Sequence, residues 1–265
     1  MKKVISKDGT TIAFDRSGKG PALILVGGTL EQRAMETDTA KLAAFPLLAE
    51  NFTVFHYDRR GRGDSTDTQP YAVEREIEDL EALIDEAGGS VFLSGISAGA
   101  ALAMEAAIKL GNKIKKLAMY EAPYSDDAAY RQAAKEFKKQ LKEALAEGRR
   151  GDAVGSFIMF LGGTPDQLDG IRQLPVWPMW EAVAPTIAYE MEVVGEDPSV
   201  PTQKAARVAV PALVMAGAKS DSSAHATAKA LAKAMPHAKY RAVEGQAHEV
   251  APEALAPVLI EFFKG

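Results

Sequence analysis

The pentapeptide Gly95-Ile96-Ser97-Ala98-Gly99 fits the pattern G-x-S-x-G. Its context gives the pattern meaning. It ends the apolar run Val91 to Ser97, "VFLSGIS", and opens the small-residue stretch Ala98 to Leu110. A strand that turns sharply into a helix exposes a serine hydroxyl at the edge of a sheet. Flanking glycines let neighbouring backbone pass close by. The helix N-terminus adds positive potential where an anionic oxygen would develop. A serine hydroxyl is a weak nucleophile at neutral pH and needs a base within reach. Of four histidines, His56 lies inside a strand-like run, His225 in a helix-like stretch and His237 in the exposed-looking "MPHAK". His248 lies in "VEGQAHEV", a glycine-bearing loop between the last strand-like and last helix-like stretches, and is the expected base. Loops that follow parallel strands gather at one sheet edge, which brings this loop to the serine turn.

The base needs a carboxylate to hold its tautomer and stabilise the imidazolium. Glu121 is the expected acid, with Asp221 as the alternative. Glu121 closes the apolar run "KLAMYE", where an unpaired, buried charge would be costly. Asp221 lies in "MAGAKSDSS" and can equally cap the helix that follows, in company with Ser222 and Ser223. Both fit the chain order serine, acid, histidine. An oxyanion hole needs two N–H groups. Ala98, after the serine, supplies one. The loop "LVGGTL" supplies the other, from Gly28 or, as second choice, Thr29.

These residues need a frame. "KKVISKDGTTIAFDRSG" reads as a hairpin turning at Asp8-Gly9. "PALILVGG", "FTVFHYD", "VFLSGIS", "IKKLAMY", "PALVMAG" and "AKYRAVEG" read as six further strands, several apolar on both faces. Helical patterns lie between them, at Leu42 to Glu50, Val73 to Ala87, Ala98 to Leu110, "SSAHATAKALAKAM" and "PEALAPVLIEFF". Strand alternating with helix predicts an α/β protein with a mostly parallel sheet. Residues 124–207 break the rhythm with helical, proline-interrupted sequence and no strand. They are expected to form an all-helical insertion, a candidate lid, between core segments 1–123 and 208–265. The insertion carries Phe157, Met159, Phe160, Trp177, Trp180 and Met191. Such residues at helical spacing mostly hold helices together. The remainder would line an apolar pocket beneath the lid. Lys135 to Arg150 reads as a solvated, charged face.

The 265 residues are 47% hydrophobic and 25% charged, enough for a full core. The net charge of -5 shows no basic excess for nucleic acid or an anionic membrane. With no cysteine, disulfides, thiol catalysis and cysteine-based zinc sites are excluded. The N-terminal "MKKVISKDGTTIAF" lacks the apolar core of a signal peptide, and no apolar run nears the ~20 residues of a membrane span. A cytoplasmic location is expected, as a monomer or homodimer. The early strand ends in "VGGTLEQ" without G-x-G-x-x-G, which speaks against a dinucleotide site.

Taken together, the chain resembles an α/β-hydrolase over nearly its whole length. Besides G-I-S-A-G, the stretch Asp58-Arg59-Arg60-Gly61-Arg62-Gly63-Asp64-Ser65 is similar to the family's D-x-R-G-x-G-x-S turn, which the resemblance makes architectural. The resemblance implies eight strands, a helical cap after the sixth, and the esterase, haloperoxidase-like and C–C hydrolase branch. Two positions depart from the family pattern. Val26 stands where histidine usually precedes the oxyanion-loop glycine, and Ser220 stands where the acid usually follows the seventh strand. Some members are similar in carrying a glutamate at the end of strand six, the position of Glu121. The expected activity is serine-dependent hydrolysis of a small, largely apolar carboxylic ester, with no metal or cofactor and a small molecule as its partner. A lactonase, a C–C bond hydrolase, a cofactor-free perhydrolase or a non-catalytic small-ligand sensor are the alternatives.

Overall fold

The structure, a computed structural model, describes residues 1–34 and 44–265. Eight strands form one sheet: β1 (Lys2–Ile5), β2 (Thr11–Ser17), β3 (Ala22–Val26), β4 (Thr53–Tyr57), β5 (Val91–Ile96), β6 (Ile114–Tyr120), β7 (Ala212–Gly217) and β8 (Ala238–Val243). Their order is β1-β2-β4-β3-β5-β6-β7-β8. β1 and β2 pair antiparallel, as do β2 and β4. All other pairs are parallel. The eight strand-like runs of the sequence are these eight strands.

Alternation along the strands sends side chains to two separate cores. Ile24, Val26, Leu93, Leu117, Met119 and Val214 pack on one face. There they meet α2 (Val73–Glu86), α3 (Ala98–Leu110) and α10 (Ser222–Ala234) through residues such as Leu80, Leu102 and Leu231. Leu23, Val54, Ala118, Tyr120, Leu213 and Met215 pack on the other face, against α1 (Ala44–Ala49) and α11 (Pro252–Lys264) through Leu48, Leu259 and Phe263. Fully burying one such leucine or phenylalanine contributes about 2 kcal/mol. The first part of the helix expected at Leu42 to Glu50 lies outside the described residues.

Between β6 and β7 the chain forms α4 (Ala128–Ala146), α5 (Arg150–Phe160), α6 (Pro165–Ile171), α7 (Trp177–Val183), α8 (Ile187–Val194) and α9 (Thr202–Ala205). No strand interrupts them. Asp127 caps α4 by accepting from the Tyr130 N–H at 2.9 Å. Thr164 and Gln167 cap α6 reciprocally. A short 3-10 turn, Ala184–Thr186, carries Pro185 and separates α7 from α8. These helices enclose a third core around Phe137, Leu141, Val154, Trp177 and Ile187, which Leu30 of the β3 loop joins. Among the described residues, no helix is long and apolar enough to cross a membrane.

Candidate active site

Ser97 stands at the junction of β5 and α3 with φ 54 and ψ -128, a backbone conformation that costs a non-glycine residue free energy. Close packing holds the turn in place. A Cβ at Gly95 would strike the Gly99 carbonyl, and one at Gly99 would strike the Val26 carbonyl. The Ser97 N–H donates to the Tyr120 carbonyl at 2.9 Å, which ties the turn to β6. Ala98 is the first residue of α3, so its N–H is one of those a helix cannot satisfy internally.

Glu121 follows β6 directly and also has a positive φ, 47. Its N–H continues the sheet by donating to the Met215 carbonyl at 3.0 Å. The side chain is 6% exposed and meets three donors. His248 Nδ1 lies 2.7 Å from Oε2. The Gly217 N–H donates to Oε1 at 2.8 Å, and the Ser220 hydroxyl makes a short hydrogen bond to the same oxygen. Burial alone would raise the Glu121 pKa, but these hydrogen bonds hold it below the ordinary carboxylate range.

The structure therefore brings Glu121, and not Asp221, to the histidine. Asp221 is the N-cap of α10, and its carboxylate accepts from the Ala224 N–H at 2.8 Å. Ser220, in the place of the usual acid, helps to hold Glu121 instead. Sequence inspection passed over this role, because a serine near a helix start looks like a cap.

The loop that carries His248 is anchored from both sides. The Tyr120 hydroxyl donates to the Ala247 carbonyl, and the Lys219 N–H donates to the Gln246 carbonyl at 2.7 Å. The His248 side chain itself is 48% exposed. Among the described residues, the Ser97 hydroxyl has no hydrogen-bond partner. Of the other histidines, His56 is buried in β4, His225 contacts the Tyr240 hydroxyl at 2.7 Å, and His237 is exposed.

Thr29, Ser97 and Ala98 lie at the base of a cavity of about 590 Å³ roofed by α4, α5 and α8. Gly28 sits beside Ser97, but its N–H already donates to the Glu31 carboxylate at 2.8 Å. Phe157, Phe160 and Met191 line the cavity as expected, together with Tyr130, Leu161 and Val194. Three other expected pocket residues do not. Met159 turns to solvent on the outer side of α5, with 39% exposed. Trp177 is buried in the core of the inserted helices, and Trp180 packs against that core. Both tryptophans hold helices together, because α7 stands behind α5 and does not reach the cavity. The mouth is charged: Arg131 pairs with Asp197 and Lys138 with Glu196.

Comparison with known proteins agrees with the fold. The model of the alpha/beta hydrolase family matches residues 23–258. A crystal structure of an alpha/beta hydrolase from Sphaerobacter thermophilus DSM 20745 is 48% identical, covers 99% of this chain and 100% of that one, and superposes with a TM-score of 0.88. A thermophilic esterase from Thermogutta terrifontis shares the fold at 22% identity, with a TM-score of 0.74 over 99% of this chain and 97% of its own. The proline iminopeptidase PfmaB of Pestalotiopsis fici is 27% identical over 123 residues, which are 44% of this chain and 42% of that protein.

Proposed function

Since the chain belongs to the alpha/beta hydrolase family, we propose that it is a serine hydrolase that cleaves a small, largely apolar carboxylic ester through an acyl-enzyme. The observation that carries this reading is the Glu121–His248 pair at 2.7 Å, on the sheet edge where the strained Ser97 turn also lies. Ser97 Oγ attacks the ester carbonyl while His248 Nε2 takes its proton. The Ala98 and Gly28 N–H groups receive the carbonyl oxygen as it becomes anionic. His248 then passes the proton to the leaving alkoxide, and the C–O bond breaks. Water enters, gives its proton to His248 and releases the acid, which restores the Ser97 hydroxyl. Glu121 stays ionised and stabilises the imidazolium through Nδ1. The Ser97–His248 hydrogen bond is the contact that substrate binding completes, since such contacts are often loose in ligand-free sites.

Residues 124–207 act as the cap over this site, on the core of residues 1–123 and 208–265. Phe157, Phe160 and Met191 give the cavity an apolar wall, and a volume of about 590 Å³ suits a small ester.

A fluorophosphonate probe tests the reading. Wild-type protein should be labelled at Ser97 and should hydrolyse p-nitrophenyl esters, best with short acyl chains. Ser97→Ala should abolish labelling and lower turnover by more than about a thousandfold. A wild-type protein that neither labels nor turns over any ester of a panel graded by acyl length overturns the proposal.

A further inference from the structure

Two buried arginines grip the loop that follows β3. Arg59 Nη1 donates to the Gly27 carbonyl at 3.4 Å. Arg62 Nη1 donates to the Gly28 carbonyl at 2.7 Å and to the Glu31 carbonyl at 3.3 Å. In a trans peptide the C=O and the following N–H point in opposite directions. Holding the Gly27 carbonyl therefore turns the Gly28 N–H away from the arginines, and holding the Gly28 carbonyl does the same for Thr29. The Gly28 N–H accordingly faces a carboxylate, that of Glu31, at 2.8 Å.

The arginines are held in turn by the inserted helices. Glu190 of α8 is fully buried and takes Arg59 Nη1 at 2.8 Å and a short bond from Arg62 Nη2. Thr186, just before α8, accepts from Arg62 Nε at 3.0 Å. Glu76 takes the remaining Arg59 donors at 2.7 Å. Two arginines thus meet two glutamates, and the cluster is neutral. A buried ion cluster of this size seldom stabilises a fold more than apolar packing would. What it does fix is geometry. Arg59 and Arg62 also fall on two of the three unspecified positions of the turn motif Asp58 to Ser65, so the turn itself does not demand them.

We propose that Arg62 and Glu190 are positioning residues of the oxyanion loop. Through them, cap helix α8 aims the Gly28 N–H group at the reacting carbonyl oxygen. The proposal rests on the serine-hydrolase reading. A substrate-filled cap and a competent oxyanion hole are then coupled through one buried carboxylate.

The test compares Glu190→Gln, Arg62→Lys and the milder Thr186→Val, each checked for a cooperative thermal transition. In folded Glu190→Gln and Arg62→Lys, kcat should fall about 10- to 100-fold, with KM within about twofold of wild type. Affinity for a trifluoromethyl ketone, which places an oxyanion in the hole, should fall in the same proportion. Thr186→Val should lower kcat several-fold in the same direction, which keeps the proposal testable if the charge variants do not fold. In ¹⁵N-glycine-labelled protein, the Gly28 amide resonance should move in all three. Variants that melt earlier but keep wild-type kcat, ketone affinity and Gly28 resonance would show a purely structural cluster and overturn the proposal. Absence of wild-type labelling at Ser97 overturns the hydrolase reading alone, since the Gly28 resonance reads the loop geometry without turnover.

Discussion

Glu121 answers a question about a single residue: why a carboxylate ends an apolar strand. Three donors, from His248, Gly217 and Ser220, replace the water it loses. Its positive φ turns the side chain from the sheet toward the histidine loop. Glu121→Gln keeps the shape but removes the charge that, in the proposed mechanism, holds the His248 tautomer. It should lower kcat by about three to four orders of magnitude. Asp221→Asn keeps an N-cap acceptor and should leave turnover unchanged, with at most about 1 kcal/mol lost from stability. The reverse pattern in ester kinetics would return the acid to Asp221. The places of Ser97 and His248 in the fold were legible as sequence, because an elbow motif and a loop after the last strand carry their own context. Sequence favoured Glu121 without excluding Asp221, because the contact depends on which side chain reaches across from a neighbouring strand. Glu31 and Ser220 carried no signal, since their partners are set by loop paths.

At the scale of elements, local pattern and long-range contact separate cleanly. Strands and helices follow from runs and periodicities within about a dozen residues, so all eight strands and the framing helices could be read in advance. The cavity wall could not. Phe157 and Trp177 look alike in sequence, and only the packing of α7 behind α5 decides that one lines the site and the other fills a core. Glu190 sits in the apolar helix "IAYEMEVV", and its arginines are more than a hundred residues away. The loop after β3 is the element where such contacts meet function. It presents the Gly28 N–H, then folds back so that its own Glu31 carboxylate takes that donor. In the proposed mechanism the substrate oxygen must displace this carboxylate. A charged acceptor binds an N–H about twice as strongly as a neutral one. Glu31→Gln should therefore raise kcat/KM about 3- to 30-fold and tighten binding of a trifluoromethyl ketone. A fall in kcat/KM instead would mean that the Glu31 carboxylate itself assists the reaction.

For the whole molecule, the response to acid is set by groups whose protonation differs between the folded and unfolded chain. Glu121 and Asp8 are both held below their ordinary range, so each withdraws stability as pH falls through its folded pKa. His56 acts at higher pH and for a different reason. It lies in β4, between β2 and β3, at 9% exposure. Burial, helped by the nearby Arg33 charge and opposed by Asp15, lowers its pKa from 6.5 to about 4. Between those two values the unfolded chain binds a proton that the folded chain refuses. The sign follows from linkage: the unfolded state holds more protons, so stability rises with pH across the window and is fully present above 6.5. On acidification from 6.5 toward 4, His56 should thus cost the protein stability before most carboxylates titrate. His56→Gln removes the titrating ring while the carboxylate contributions remain. Plotted against pH, the difference in unfolding free energy between wild type and His56→Gln should slope across that window and be flat above it. A flat difference throughout would mean that the folded protein carries His56 with an ordinary pKa, and that the sheet interior accommodates its charge.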